Sequence, residues 1–302
     1  MMEAILSNKS KALHNTEPAR IMTCLEMLRP YQWLKNQLVF TPVFFAGKIT
    51  DLSLVWSATG ATLMFCATAS LGYVLNDWLD RKRDVNHPQK CQRPVPSGRV
   101  KKKDLLLLVA LLISAILFLF FLFLPNMNLS MCLLAYLILS LAYSSGLKNI
   151  ACFEIYLIAA FFVIRVLAGG LATGIHISNW LFATVFFLSL LITLAKRKNE
   201  IATMGEDAHN HRVSLKQYSV VYLDHFLWAM AGVSLVTYAL YTVENNHNLV
   251  YSIVPATYGI TRFLLVSEQG KGGDPILTLA KDYHLLSATL VFLGLICFKI
   301  YG

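Results

Sequence analysis

Charge is scarce in this chain: Asp, Glu, Lys and Arg make up only 14% of its 302 residues, where a soluble domain carries nearer a quarter. That shortage, set beside 56% hydrophobic residues, excludes an ordinary water-soluble enzyme. Cysteine is sparse and unpatterned. Cys24, Cys66, Cys91, Cys132, Cys152 and Cys297 show no CxxC or Cys/His spacing, which argues against a zinc site or a disulfide framework. The eight histidines show no ligand spacing either, and His209 and His211 read as loop residues. The first 20 residues hold no apolar run, so no cleavable signal is expected there, and residues 1–20 read as a flexible polar segment.

What the chain has in quantity is apolar runs long enough to cross a bilayer. Nine are expected, at about 30–47, 54–76, 104–124, 127–145, 151–173, 179–196, 221–243, 249–267 and 284–301. The first is the weakest, because Lys35 and Asn36 interrupt it and Pro42 would kink it. The expected fold is therefore an all-α polytopic membrane protein, with residues 21–302 as one domain. Of the 26 Lys and Arg, all but Lys48, Lys299 and the intramembrane Arg165 and Arg262 fall at the amino terminus or in the connections after spans 2, 4, 6 and 8. By the positive-inside rule that side is cytoplasmic. The net charge of +9 then reads as topology plus a phosphate-binding surface, with no nucleic-acid footprint.

The chemistry is concentrated where span 2 runs out, at Asn76-Asp77-Trp78-Leu79-Asp80-Arg81-Lys82-Arg83-Asp84. Asp77, Asp80 and Asp84 are spaced by three and four residues and share one helix face. Like charges so close repel, and a divalent cation relieves the repulsion. Hard oxygen ligands suit Mg²⁺, usually held by one or two carboxylates plus substrate phosphates. A Mg²⁺–diphosphate site is one reading. A solvated helix end neutralised by Arg81, Lys82 and Arg83 is the other.

The surroundings favour the first. Beyond His87-Pro88, Lys90 and the stiff Arg93-Pro94-Val95-Pro96 segment put cations near the carboxylates, and Arg suits bidentate phosphate contact. Span 6 ends in Lys196-Arg197-Lys198-Asn199-Glu200. Lys196 and Glu200 form an i,i+4 pair only in the weaker orientation, so an anion-binding role for Lys196 and Arg197, with Glu200 on a second cation or a sugar hydroxyl, explains them better. Tyr143 and Lys148 close span 4, while Lys35 and Asn36 sit in span 1. Arg165 lies deep in span 5, where an ionisable residue needs a cavity or a partner, Glu154 being one possible mate. Arg262 and Asp282 are weaker members of the same set.

This pattern resembles the UbiA superfamily of intramembrane transferases, over nearly the whole chain from about Leu28. Within it the likeness is greatest to the decaprenyl-phosphate phosphoribosyltransferase (5-phosphoribosyl-monophospho-decaprenol synthase) branch. It is carried by Gln32-Trp33-Leu34-Lys35-Asn36, Asn76 to Asp84, His87-Pro88-Gln89-Lys90 with Arg93-Pro94, Tyr143-Ser144 with Leu147-Lys148, Arg165 to Gly169, and Lys196-Arg197 with Glu200. The acidic motif belongs to the whole superfamily. The Lys-Arg-x-x-Glu replaces the second aspartate-rich motif of ordinary polyprenyl transferases. Two positions depart from the branch: Glu154 stands for an expected aspartate, and Lys281-Asp282-Tyr283-His284 lacks an Arg-Pro.

The resemblance implies a UbiA-like bundle with a cytoplasm-facing cavity in the bacterial inner membrane. It also implies Mg²⁺-dependent transfer of 5-phosphoribose from phosphoribosyl pyrophosphate to a polyprenyl phosphate, releasing diphosphate, for cell-envelope glycan precursors. Asn76, Asp77, Asp80 and Asp84 would hold the metal. Lys35, Asn36, Lys90, Arg93, Tyr143, Lys148, Arg165, Lys196, Arg197, Glu200, Arg262 and Asp282 would bind substrate. A homo-oligomer is compatible with the sequence. The rival readings are a prenyltransferase acting on an aromatic acceptor and a non-enzymatic lipid transporter.

Overall fold

The computed structural model describes residues 17–85, 90–204, 213–244, 249–270, 273 and 275–302. Among them there is no β-strand. The helices are α1 (Glu17–Leu28), α2 (Thr41–Phe45), α3 (Leu52–Asp84), α4 (Lys102–Phe123), α5 (Met127–Ser145), α6 (Phe153–Thr173), α7 (Asn179–Met204), α8 (Val220–Glu244), α9 (Ile253–Glu268), α10 (Pro275–Lys281) and α11 (Tyr283–Tyr301). Eight described helices are long and apolar enough to cross a membrane, matching the expected spans 2 to 9. The expected first span, 30–47, is not one of them. Pro30–Phe40 winds as a 3₁₀ helix and only Thr41–Phe45 is α-helical. A run of 11 residues is long for 3₁₀ geometry, which seldom exceeds 3–4. The residues that weakened the helical reading, Lys35, Asn36 and Pro42, lie inside it. The polar segment expected at 1–20 lies outside the described residues up to position 16.

The chain divides into two compact units, one built from residues up to Gln37 with Thr59–Ser145, the other from Leu38–Ala58 with Gly146–Gly302. The first unit is organised by the 3₁₀ segment lying along α3. Trp33 Nε1 donates to Ser70 Oγ at 3.0 Å, and Asn36 Nδ2 contacts Cys66 Sγ at 3.2 Å. Three residues of 3₁₀ helix and four of α-helix both rise about 6 Å, so the two contacts stay in step as the elements run antiparallel. Ser70 Oγ in turn donates to the Leu28 carbonyl, an end group of α1. Met27, Leu71, Val74, Val95, Leu105, Leu108 and Leu112 form the core beside this rail.

In the second unit the largest core joins α6, α7, α8, α9 and α11 through Ile155, Leu190, Leu191, Leu194, Leu223, Leu227, Leu264 and Leu285. Helices in lipid gain little from apolar burial against one another, so small residues that allow close approach matter more. Gly169 of α6 is the tightest case: a Cβ there would lie 1.9 Å from the Val39 carbonyl oxygen. At Gly60 in the first unit a Cβ would lie 2.2 Å from Phe123 Cδ1, but a terminal phenyl ring can turn away and a backbone carbonyl cannot. Gly169→Ala should therefore destabilise the protein by about 1–3 kcal/mol or more, and Gly60→Ala by less. Thermal unfolding of the two variants in detergent checks this; equal losses would show that the Val39 approach is not constrained.

Candidate functional site

In the first unit the acidic face of α3 is built around two buried carboxylates. Asp77 and Asp84 are 1% and 2% exposed. They sit seven residues apart on one stripe, two turns along the helix. Arg93 Nη1 lies 3.2 Å from Asp77 Oδ1 and 3.0 Å from Asp84 Oδ2, bridging them with a single nitrogen. Lys90 Nζ is 4.0 Å from Asp84 Oδ1. Arg29 Nη2 donates to Asp77 Oδ1 at 2.6 Å, and its guanidinium stacks 5.3 Å from the centroid of Tyr73, one turn before Asp77. Asn76 and Asp80 flank these residues and are half-buried.

Arg29 is the residue that sequence reasoning missed, having been counted only as topology. Its backbone is left-handed, with φ 52°, a conformation that costs a non-glycine residue roughly 1–2 kcal/mol. Pro30 disfavours the ordinary α conformation before it, and the antiparallel rail then delivers the side chain to Asp77. The usable signal was Arg29-Pro30 just ahead of the Gln32 to Asn36 motif, together with an aromatic residue four positions before an aspartate. Asn36 itself is buried against Cys66, and Lys35 is half-buried beside it. Arg81, by contrast, folds back on its own helix: its guanidinium lies 3.9 Å from the Trp78 ring and donates to the Trp78 carbonyl at 2.6 Å. Tyr143 is half-buried near the end of α5. His87, Pro88 and Gln89 lie outside the described residues.

The second unit has a different electrostatic centre. Arg197, 2% exposed, donates from Nε and Nη2 to the two oxygens of Glu154 at 2.7 and 2.8 Å. Its Nη1 reaches both oxygens of Glu200 at 2.9 and 2.8 Å. Glu154 is fully buried in the first turn of α6, where the helix dipole favours a carboxylate. Arg197, expected as an anion ligand, is thus enclosed by two carboxylates. Glu200, expected on a cation or a hydroxyl, holds the outer side of that guanidinium. Glu154, which stands for the expected aspartate, reaches from α6 to Arg197 of α7. Lys196 points outward and is exposed, whereas Lys198 pairs with Asp224.

Arg165, 3% exposed, donates to the Phe161 carbonyl at 2.5 Å and sits 5.7 Å from the Phe162 ring centroid. Lys148 lies in a 3₁₀ turn, Leu147–Asn149. Arg262 and Asp282 do meet, in a bidentate pair at 2.7–3.2 Å. They line a cavity of about 520 Å³ with Gln269, Thr278, Lys281, Val266 and Leu277. Asp282 also caps α11, accepting from the Leu285 N–H at 2.9 Å. The Arg262 hydrogen bond first, and this cap second, hold its carboxyl down at about 2.

Whether the acidic face suits Mg²⁺ turns on its donors. They are hard oxygens, and Asp77 Oδ1 and Asp84 Oδ2 converge on one cationic nitrogen within 3.2 Å. Among the described residues no three His, Cys, Asp or Glu side chains are gathered into a metal cage. That arrangement fits a cation shared between one or two carboxylates and substrate phosphates, the usual manner of Mg²⁺.

A helical membrane fold whose acidic helix end is set among arginines defines an intramembrane transferase architecture, and the comparisons agree. A family model described as the UbiA prenyltransferase family matches residues 38–280. The chain is 31% identical over 287 residues to the decaprenyl-phosphate phosphoribosyltransferase of Corynebacterium glutamicum, covering 92% of this chain and 86% of that protein. It is 30% identical over 268 residues to the Mycobacterium tuberculosis protein of the same name, covering 85% and 88%. A solved UbiA homolog from Archaeoglobus fulgidus bound to GPP and Mg²⁺ matches with a TM-score of 0.64 at 15% identity, covering 92% of this chain and 98% of that one. The chain belongs to the UbiA prenyltransferase family, a family of enzymes.

Two outcomes follow for the second unit. Arg197→Leu leaves the fully buried Glu154 carboxylate uncompensated and should cost about 3–5 kcal/mol, while the double change Glu154→Leu with Arg197→Met should cost less. Unfolding in detergent tests this; a fully stable Arg197→Leu would mean the guanidinium is not structural. Because the Asp282 carboxyl lies below its unfolded value of about 4, its contribution is present above that value and lost as pH falls toward about 2. Asp282→Asn should lower the melting temperature equally at pH 7 and pH 5, with the gap closing only below about pH 4.

Proposed function

We propose that the chain transfers a 5-phosphoribosyl group from phosphoribosyl pyrophosphate to a polyprenyl phosphate, releasing diphosphate. The observation that carries this reading is the cluster of buried Asp77 and Asp84 with Arg29, Lys90 and Arg93. Its mixture of hard anionic oxygens and guanidinium forks suits a metal-bound diphosphate. The names of the relatives at about 30% identity support a phosphoribosyl donor over a prenyl diphosphate. So does Lys-Arg-x-x-Glu at the end of α7 in place of a second aspartate-rich motif. The A. fulgidus homolog solved with GPP and Mg²⁺ supports the metal.

In this reading Asp77 and Asp84, with Asn76 and Asp80 beside them, would hold Mg²⁺ together with the substrate's phosphates, and the bound ion would supply charge neutralisation for the departing diphosphate. Arg29, Lys90 and Arg93 grip the diphosphate oxygens with charge-assisted hydrogen bonds. Lys35 and Tyr143 in the first unit, and separately Lys148, Arg165 and Lys196 in the second, are the further phosphate-binding candidates, while Arg197 and Glu200 set the shape of the α7 end. An oxygen lone pair of the lipid phosphate forms the new bond to C1 of the ribose as the C1–O bond to diphosphate breaks, its electron pair leaving with the diphosphate. Attack from the opposite face inverts the anomeric carbon. The nucleophile is already ionised at neutral pH, so no general base is required. The multi-pass chain lies in the bacterial cytoplasmic membrane with its Lys- and Arg-rich connections facing inward.

Purified protein with Mg²⁺, labelled phosphoribosyl pyrophosphate and a polyprenyl phosphate should yield a labelled lipid, and EDTA should stop it. Asp80→Ala should lower turnover by at least about a hundredfold while the protein remains folded. Turnover of a prenyl diphosphate with no labelled lipid from phosphoribosyl pyrophosphate would replace this reading with prenyl transfer.

A further inference from the structure

The salt-bridge geometry on α3 points beyond binding to an order of assembly, and this rests on the diphosphate reading above. Arg93 Nη1 lies between Asp77 Oδ1 and Asp84 Oδ2, where it would compete with a divalent cation held by the same two carboxylates. The two cannot stand there together, because the nitrogen already lies 3.0–3.2 Å from both oxygens and Mg²⁺ needs to approach oxygens to about 2.1 Å. We propose that Arg93 is a resident counter-cation. It stays between the two aspartates until a metal–diphosphate complex arrives, then turns onto the diphosphate, so that bare metal binds poorly and metal with diphosphate binds well.

Three features of the cluster support an exchange of this kind. The first is the charge balance. Asp77 and Asp84 carry two negative charges, and Arg29, Lys90 and Arg93 carry three positive ones. A bare dication entering this group, whose carboxylates are already neutralised, must expel a guanidinium and leave it facing a more positive centre. A diphosphate arriving with the metal supplies the anion to which the guanidinium can turn. The second feature is that the two arginines are mounted differently. Arg29 is fixed by its left-handed backbone, its Tyr73 stack and its 2.6 Å bond to Asp77. The Arg93 side chain is 29% exposed against 2% and 3% for the aspartates it bridges, so it borders open space into which it can swing.

The third feature is the loop beneath Arg93, whose backbone does not need to move. The Arg93 N–H donates to the Lys90 carbonyl at 3.0 Å, and the Arg93 carbonyl accepts from the Ser97 N–H at 3.0 Å. Val95 is buried between two prolines, and Arg99 forks onto Glu26 of α1 at 2.8 and 3.0 Å. A stiff loop with one movable guanidinium confines the exchange to side-chain rotation. By linkage, metal and diphosphate must each strengthen the binding of the other by the same factor.

The test uses the full chain in detergent, without donor sugar or lipid acceptor. Binding of bare Mn²⁺ is followed by the electron paramagnetic resonance signal of the free ion, and binding of labelled pyrophosphate is followed by filtration with and without Mg²⁺. In the wild type bare Mn²⁺ should bind weakly, and pyrophosphate should bind only with Mg²⁺. Arg93→Gln should bind bare Mn²⁺ about tenfold more tightly and Mg²⁺-pyrophosphate about tenfold more weakly. If Mg²⁺-dependent pyrophosphate binding is intact but bare Mn²⁺ binds equally to both proteins, the counter-cation role is overturned and the diphosphate site stands. If neither protein binds pyrophosphate with Mg²⁺, the site reading falls and takes the proposal with it. Should Arg93→Gln fail to fold, the wild type decides alone: bare Mn²⁺ binding as tightly as Mn²⁺ in the presence of a non-hydrolysable diphosphate overturns the exchange.

Discussion

A carboxylate buried in an apolar bundle has to be answered by a cation, and both units of this protein are arranged around that requirement. In the first, Asp77 and Asp84 share Arg93, and Asp77 also takes Arg29. In the second, Glu154 and Glu200 enclose Arg197. Desolvating a charge without a partner costs several kcal/mol even after relaxation, so each buried carboxylate keeps at least one cation beside it. The clusters differ in how completely they are closed. Arg197 has its whole guanidinium engaged and almost no exposure, as expected of a structural tie. The arginines on α3 keep partial exposure, as expected of groups that also meet a ligand.

Much of the architecture could be read directly from the order of residues. Eight apolar runs became eight long helices because an uninterrupted apolar stretch in lipid has no better way to satisfy its backbone than an α-helix. The run at 30–47 failed that rule for a visible reason: Lys35, Asn36 and Pro42 break it, and the chain settles into a 3₁₀ segment whose polar residues meet α3. The acidic motif was legible through its spacing, since helical periodicity alone puts Asp77, Asp80 and Asp84 on one stripe.

The partners of those residues were much less legible. Arg29 and Asp77 are 48 residues apart, and Glu154 and Arg197 are 43 apart. No local periodicity encodes a pairing of that length. From sequence Glu154 reads only as one possible mate of Arg165, and Arg197 reads as an anion ligand together with its neighbour Lys196. Neighbours on a helix face different ways, however. Arg197 points into the core and Lys196 points out, a distinction that follows from the 100° turn between successive residues once the buried side of α7 is known.

The 3₁₀ segment also sets a tolerance on the chain that neither unit's composition reveals. Its contacts at Trp33 and Asn36 repeat every three residues, while those at Cys66 and Ser70 repeat every four. The two elements therefore keep one register, set jointly by the Trp33–Ser70 and Asn36–Cys66 contacts. Inserting or deleting a single residue between Arg29 and Trp33 would swing Arg29 by about a third of a turn and carry its guanidinium off Asp77, shifting Met27 of α1 against Leu71 and Val74 as well. Length between Arg29 and Asn36 is thus under tighter geometric control than identity at most positions in between.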